Sequence, residues 1–140
     1  MVYAAFKTPI QDLGILLEDL TEDQTFREME FLYPVELANH LPECRNTKGQ
    51  ITGVIDLFFK LNGKFYLLDW KSNWLGPDAM SYKPHHLKSA MEDNRYDLQA
   101  GLYERALKEY LAQVTEEPFD SIYGGTIYVF LRAKEGVLTC

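Results

Sequence analysis

Residues 53–72 read GVIDLFFKLNGKFYLLDWKS. Two runs rich in aliphatic and aromatic residues flank Asn62-Gly63, the favoured central pair of a two-residue type I′ turn, so the stretch predicts a β-hairpin. With Asn62 and Gly63 as the loop, Leu61 faces Lys64, and counting outward sets Asp56 against Asp69. Opposed residues point to one side of a sheet with Cβ atoms about 4.5–5.5 Å apart, and residues two apart along a strand share a side. Lys71 therefore joins the two aspartates, with Phe58, Phe65 and Leu67 along the same face. The other face carries Ile55, Leu57, Phe59, Tyr66, Leu68 and Trp70. Both faces are largely apolar, which predicts a central place in a sheet covered by helices on each side.

Outward from the hairpin, residues 10–20 place Ile10, Leu13, Leu16, Leu17 and Leu20 at helical spacing and predict a short amphipathic helix. Residues 27–35 (REMEFLYPV) read as a strand that stops near Pro34, followed by a polar loop over 39–49. Residues 72–93 are irregular, with a short helix near their end. A longer helix is expected over 94–113, capped by Asp93 or Asn94, with Tyr96, Gln99, Tyr103, Leu107 and Tyr110 on one stripe. Residues 126–132 (TIYVFLR), after Gly124-Gly125, read as a buried strand. Helix, strand, hairpin, helix and strand in that order define an α/β fold with a mixed central β-sheet flanked by helices.

A chain of 140 residues with 46% hydrophobic, 14% aromatic and 25% charged residues is expected to form a single ordered domain over 1–140. No apolar run approaches the roughly 20 residues of a membrane span, and the start resembles no signal peptide, so no membrane partner and a cytoplasmic location are expected. The cysteines, Cys44 in a polar loop and Cys140, are expected to stay reduced there. A net charge of −7 argues against simple nucleic-acid binding, which draws on clustered Lys and Arg. Divalent ions between carboxylates and phosphates invert that logic, so weak DNA binding by the isolated chain is the expectation.

Two aspartates 5 Å apart repel by about 3 kcal/mol at an effective dielectric near 20. A strand pair selected for stability alone avoids that arrangement, whereas a hard cation in the gap makes it sensible. Mg²⁺ prefers oxygen ligands and takes one or two carboxylates plus water and phosphate oxygens; Mn²⁺ is expected to substitute. Lys71 then offsets charge developing on a phosphate, and phosphodiester hydrolysis is the natural reaction of such a set. The alternative is a plain salt bridge at strand ends, since D…DxK alone is a weak pattern.

The stretches GVIDLFF, FYLLDWKSNWLG, RYDLQAGLYERAL and YGGTIYVFLR follow in family order over residues 53–132. With a thinner likeness at EMEFLYP, they resemble the C-terminal nuclease domain of RecB, the β subunit of exodeoxyribonuclease V, within the PD-(D/E)xK superfamily with its restriction-endonuclease-like core. The resemblance implies helicase-coupled degradation of DNA ends for recombinational repair, with DNA and RecC-like and RecD-like subunits as partners. No GxxxxGK[ST] motor signature is present in the sequence. By the resemblance, Asp56 and Asp69 are the metal-binding aspartates, the carbonyl of Trp70 a further ligand, and Lys71 the catalytic lysine. Gln99 and Tyr103 match a QxxxY motif that positions DNA or the lysine, and Glu30 resembles an upstream acid near the metal. The family's metal-binding histidine has no counterpart here. His40, His85 and His86 are expected in loops at the wrong places, which implies a fragment truncated at both ends of a longer helicase–nuclease chain.

Two other readings are a non-catalytic module of the same fold that docks a partner subunit or guides a strand, and a restriction-type endonuclease. Trp74, Tyr82 and the His85-His86 segment are aromatic candidates for stacking on single-stranded DNA.

Overall fold

The computed structural model describes residues 9–10, 13–72, 75–131 and 137–139. Its centre is a five-stranded sheet in the order β3-β4-β5-β6-β7, formed by β3 (Thr25–Pro34), β4 (Gln50–Leu61), β5 (Lys64–Lys71), β6 (Tyr123–Phe130) and β7 (Val137–Thr139). Neighbours are antiparallel except β5 and β6, which run parallel, so the sheet is mixed as expected. A small pair, β1 (Pro9–Ile10) and β2 (Ile15–Leu16), lies outside it.

The Asn62-Gly63 turn forms as the sequence indicates, with φ of 52° and 79° at the two residues, and Leu61↔Lys64, Phe59↔Tyr66 and Leu57↔Leu68 pair across it. A parallel neighbour requires a crossover, and two helices supply it: α1 (Pro84–Asp93) and α2 (Tyr96–Val114). Pro84 opens α1 at a position where its missing N–H costs nothing. Asp93 ends α1, and Asn94 donates its side-chain N–H to Ala90 O at 2.8 Å. Neither residue caps α2, which starts after Arg95 in a left-handed conformation. A single turn, α3 (Phe119–Ile122), precedes β6. That strand begins earlier than the sequence suggested and absorbs the glycines. The ladder to β5 shifts at Gly124, where a Cβ would sit 2.2 Å from Tyr66 Cε1. Arg132 lies outside the described residues.

Helices cover one face of the sheet. Ala106, Leu107 and Leu111 of α2 pack with Ile55, Phe58 and Leu67, while Leu87, Ala90 and Met91 of α1 pack with Tyr128 and Phe130. The opposite face is covered differently from the expectation. Residues 10–20 form no helix where they are described: Leu13, Ile15, Leu17 and Leu20 lie over Leu57, Phe59, Leu68, Ile127 and Val129 as a short strand and a 3₁₀ turn. Gly14, at φ 65°, breaks the helical reading. Ile55 also departs from its expected face, since it packs with Phe58 rather than with Leu57 and Phe59. The side-chain alternation changes between Ile55 and Phe58, and the paired strand β3 carries Glu28 at φ 51° at the same level. Cys44 sits buried as a free thiol in the helix-side core rather than in a solvated loop; Cys140 lies outside the described residues.

Candidate active site

The β4–β5 ladder stops at Leu57↔Leu68, one pair short of Asp56 and Asp69. Asp56 reaches across the opening, and its Oδ2 accepts a hydrogen bond from the Trp70 backbone N–H at 3.1 Å. In a strand the N–H and C=O of one residue point the same way and successive residues alternate. The Lys71 carbonyl accepts the Leu131 N–H at 2.8 Å on the β6 side. The Trp70 carbonyl therefore faces the opening toward Asp56. Asp56, Trp70 and the side chains of Asp69 and Lys71 thus converge at the point where the two central strands part.

Asp69 and Lys71 are each only 5% exposed and form an ion pair through Asp69 Oδ2. That buried oxygen is met by the lysine's ammonium group. Lys71 Nζ donates to Gln99 Oε1 at 2.5 Å, and Gln99 Nε2 donates to the Tyr103 hydroxyl at 3.0 Å. The i, i+4 spacing on α2 makes this relay, since both side chains descend from one helix face toward β5. Burial pushes the Asp69 carboxyl up to about 6; Lys71 opposes the rise and the neighbouring Asp56 adds to it. Burial also raises the Tyr103 phenol, with the charge of Asp69 acting in the same direction.

The carboxylates of Asp56 and Asp69 and the Trp70 carbonyl form a donor set of hard oxygens, which fits Mg²⁺ or Mn²⁺. Among the described residues no three His, Cys, Asp or Glu side chains cluster as a self-sufficient cage. The set therefore matches an ion that keeps water and substrate oxygens in its shell.

Glu30 does not join this group. It is exposed, pairs with Val54, and lines a separate shallow groove with Phe31, Leu32, Thr52 and Gly53. Glu28 instead lines the cleft that contains Asp56 and Trp70. Strict alternation puts both acids of REMEF on one face, and only the left-handed φ at Glu28 separates them, so the sequence held no sign of it. His85 and His86 are exposed on α1, not in a loop, and His40 lines a different cleft of about 460 Å³ beside Glu104 and Lys108. Tyr82 is buried and its hydroxyl accepts the Leu75 N–H at 3.2 Å, so it packs the segment rather than presenting a free ring. Trp74 lies outside the described residues.

An α/β domain with a mixed sheet and an acid–acid–lysine cluster where its central strands diverge is compatible with a nuclease-like core. The chain belongs to the RecB family, as a relative of one segment of that subunit. It is 34% identical over 154 residues to the RecBCD enzyme subunit RecB of Escherichia coli, which covers 96% of the chain and 13% of the subunit. The same subunit of Haemophilus influenzae is 36% identical over 148 residues, covering 92% and 12% respectively. That of Borreliella burgdorferi is 31% identical over 151 residues, covering 100% and 13%. The chain thus spans about one eighth of the length of these relatives. No family profile matches it.

Proposed function

We propose that this domain hydrolyses DNA phosphodiester bonds with a divalent metal, Mg²⁺ by preference and Mn²⁺ in substitution. The observation that supports this best is the convergence of Asp56, Asp69 and the Trp70 carbonyl beside a buried lysine. Asp56 and Asp69, with the Trp70 carbonyl, would hold the ion, and Glu28 stands on the rim of the cleft with Arg27 beside it. The ion supplies acidity to a bound water and offsets phosphate charge. Lys71 places an ammonium next to the scissile phosphate and stabilises the negative charge that builds up on its oxygens in the transition state. Gln99 fixes the direction of that ammonium, and Tyr103 fixes Gln99. Without an ion, Asp56, Asp69 and Lys71 leave one net negative charge that repels DNA; with it the cluster becomes attractive.

In the longer protein this activity is that of an exodeoxyribonuclease, coupled to a helicase and acting on double-strand breaks with RecC-like and RecD-like subunits in the bacterial cytoplasm. The shared segment with the RecB subunits supports that setting. Among the described residues no helix is long and apolar enough to cross a membrane.

Asp69→Ala in the intact protein tests the reading. Mg²⁺-dependent cleavage of linear DNA is expected to fall to background while folding, followed by circular dichroism, is retained; continued cleavage would remove the assignment. A second reading, a docking module of the same fold, is favoured by the net charge of −7 and by the absence of a histidine ligand at the described site. It requires that Asp56→Asn and Lys71→Gln leave cleavage by the intact complex unchanged.

A further inference from the structure

We propose that Tyr96 is a positioning residue for Lys71, its ring face fixing the orientation of the ammonium group beside Asp69; this rests on the nuclease reading of the site. The Lys71 Nζ lies 3.5 Å from the centroid of the Tyr96 ring, with Tyr128 more distant at 5.7 Å. An ammonium has three N–H donors. Here one direction is taken by the Asp69 carboxylate, one by Gln99 Oε1 and one by the π face of Tyr96. A flexible four-carbon side chain held on three sides retains one orientation, and a nearly buried ammonium loses least when every donor has an acceptor.

The ring is delivered by the start of α2. Arg95 takes a left-handed conformation at φ 54°, its N–H bonds Glu92 O at 3.2 Å, and the helix opens with Tyr96 as its first residue. Gln99 follows one turn later on the same face, so the first two turns of α2 form a cradle for one lysine. Attraction between an ammonium and a ring face depends on the ring's quadrupole and not on its hydroxyl or its volume. That separates positioning from packing: a leucine fills the space, and only an electron-rich ring holds the charge.

The test places phenylalanine and pentafluorophenylalanine, two rings of nearly the same shape and opposite quadrupole, at position 96 of the intact protein, with Tyr96→Leu as a third variant. Mg²⁺-dependent cleavage of linear DNA is measured as kcat and KM. Phenylalanine is expected to stay within about twofold of the parent, and the fluorinated ring and leucine to lower kcat about tenfold with KM unchanged. Equal kcat for the two rings would overturn the inference, as would a change confined to KM, which places Tyr96 on the DNA instead. Lys71→Gln is the control for the underlying reading: if it cleaves like the parent, the nuclease assignment fails, whereas an inactive Lys71→Gln with indifferent ring variants removes only the role of Tyr96.

Discussion

Asp69 is an acid kept in a place that disfavours its charge. Its folded pKa of about 6 lies above the ordinary 3.8, so the folded state binds the proton more tightly than the unfolded state does. The stability this brings is complete below pH 4 and is lost as pH rises through about 6, an upper bound of about 3 kcal/mol for two pH units. Urea unfolding without metal is expected to show stability falling across that interval, and Asp69→Asn is expected to flatten the dependence. Mg²⁺ at pH 7 should stabilise the parent and leave the variant unmoved. Glu28 offers a second contrast at the same level of detail. Glu28→Gln is expected to weaken divalent-ion binding about tenfold, the effect of a group near but outside the first coordination sphere, and Glu30→Gln to leave it unchanged; ion titration of the two variants checks it. That Asp69 and Lys71 share a face was legible from their spacing on one strand, whereas the expected pairing of Asp56 with Asp69 does not form: the ladder ends at Leu57↔Leu68 and the alternation changes between Ile55 and Phe58. Glu28 was hidden, because its place depends on one left-handed dihedral inside a strand that propensity does not foresee.

The hairpin shows why some elements announce themselves. Asn62-Gly63 adopts the positive φ values its turn type demands, and the pairing follows to Leu57↔Leu68. The failure of the ladder at the next pair is consistent with two carboxylates declining to stand directly opposed. The amino-terminal segment shows the reverse case. Its leucines satisfy a helical period, yet Gly14 and the open sheet face turn the segment into a short strand and a 3₁₀ turn. The helix α2 was legible in its stripe but not in its division of labour: Tyr96 and Gln99 reach Lys71, Leu107 and Tyr110 pack in the core, and Tyr103 does both, bonding Gln99 while packing on Phe31. Gly124 carries a prediction about β6. Its Cβ position is filled by the Tyr66 ring, so Gly124→Ala should cost about 1–3 kcal/mol in chemical denaturation, and combining it with Tyr66→Ala should recover part of that loss. Independent, additive effects would contradict the packing seen at the bulge.

Taken as a molecule, the chain carries seven net negative charges, and on the proposed reading its site repels phosphate until an ion enters. DNA binding by this segment is therefore expected to be weak, to need Mg²⁺ or Mn²⁺, and to disappear with chelator, whereas a basic binding module would bind without metal and lose affinity with salt. The α/β class and mixed sheet could be read from the alternation of periods along the sequence. The cover on the second sheet face could not, because short irregular segments leave no periodic mark. Asp56 and Asp69 are proposed to share one divalent ion, and calorimetric titration with Mn²⁺ decides whether they do. One site per chain is predicted for the parent, lost in both Asp56→Asn and Asp69→Asn; retention of that site at undiminished affinity in either variant would contradict it.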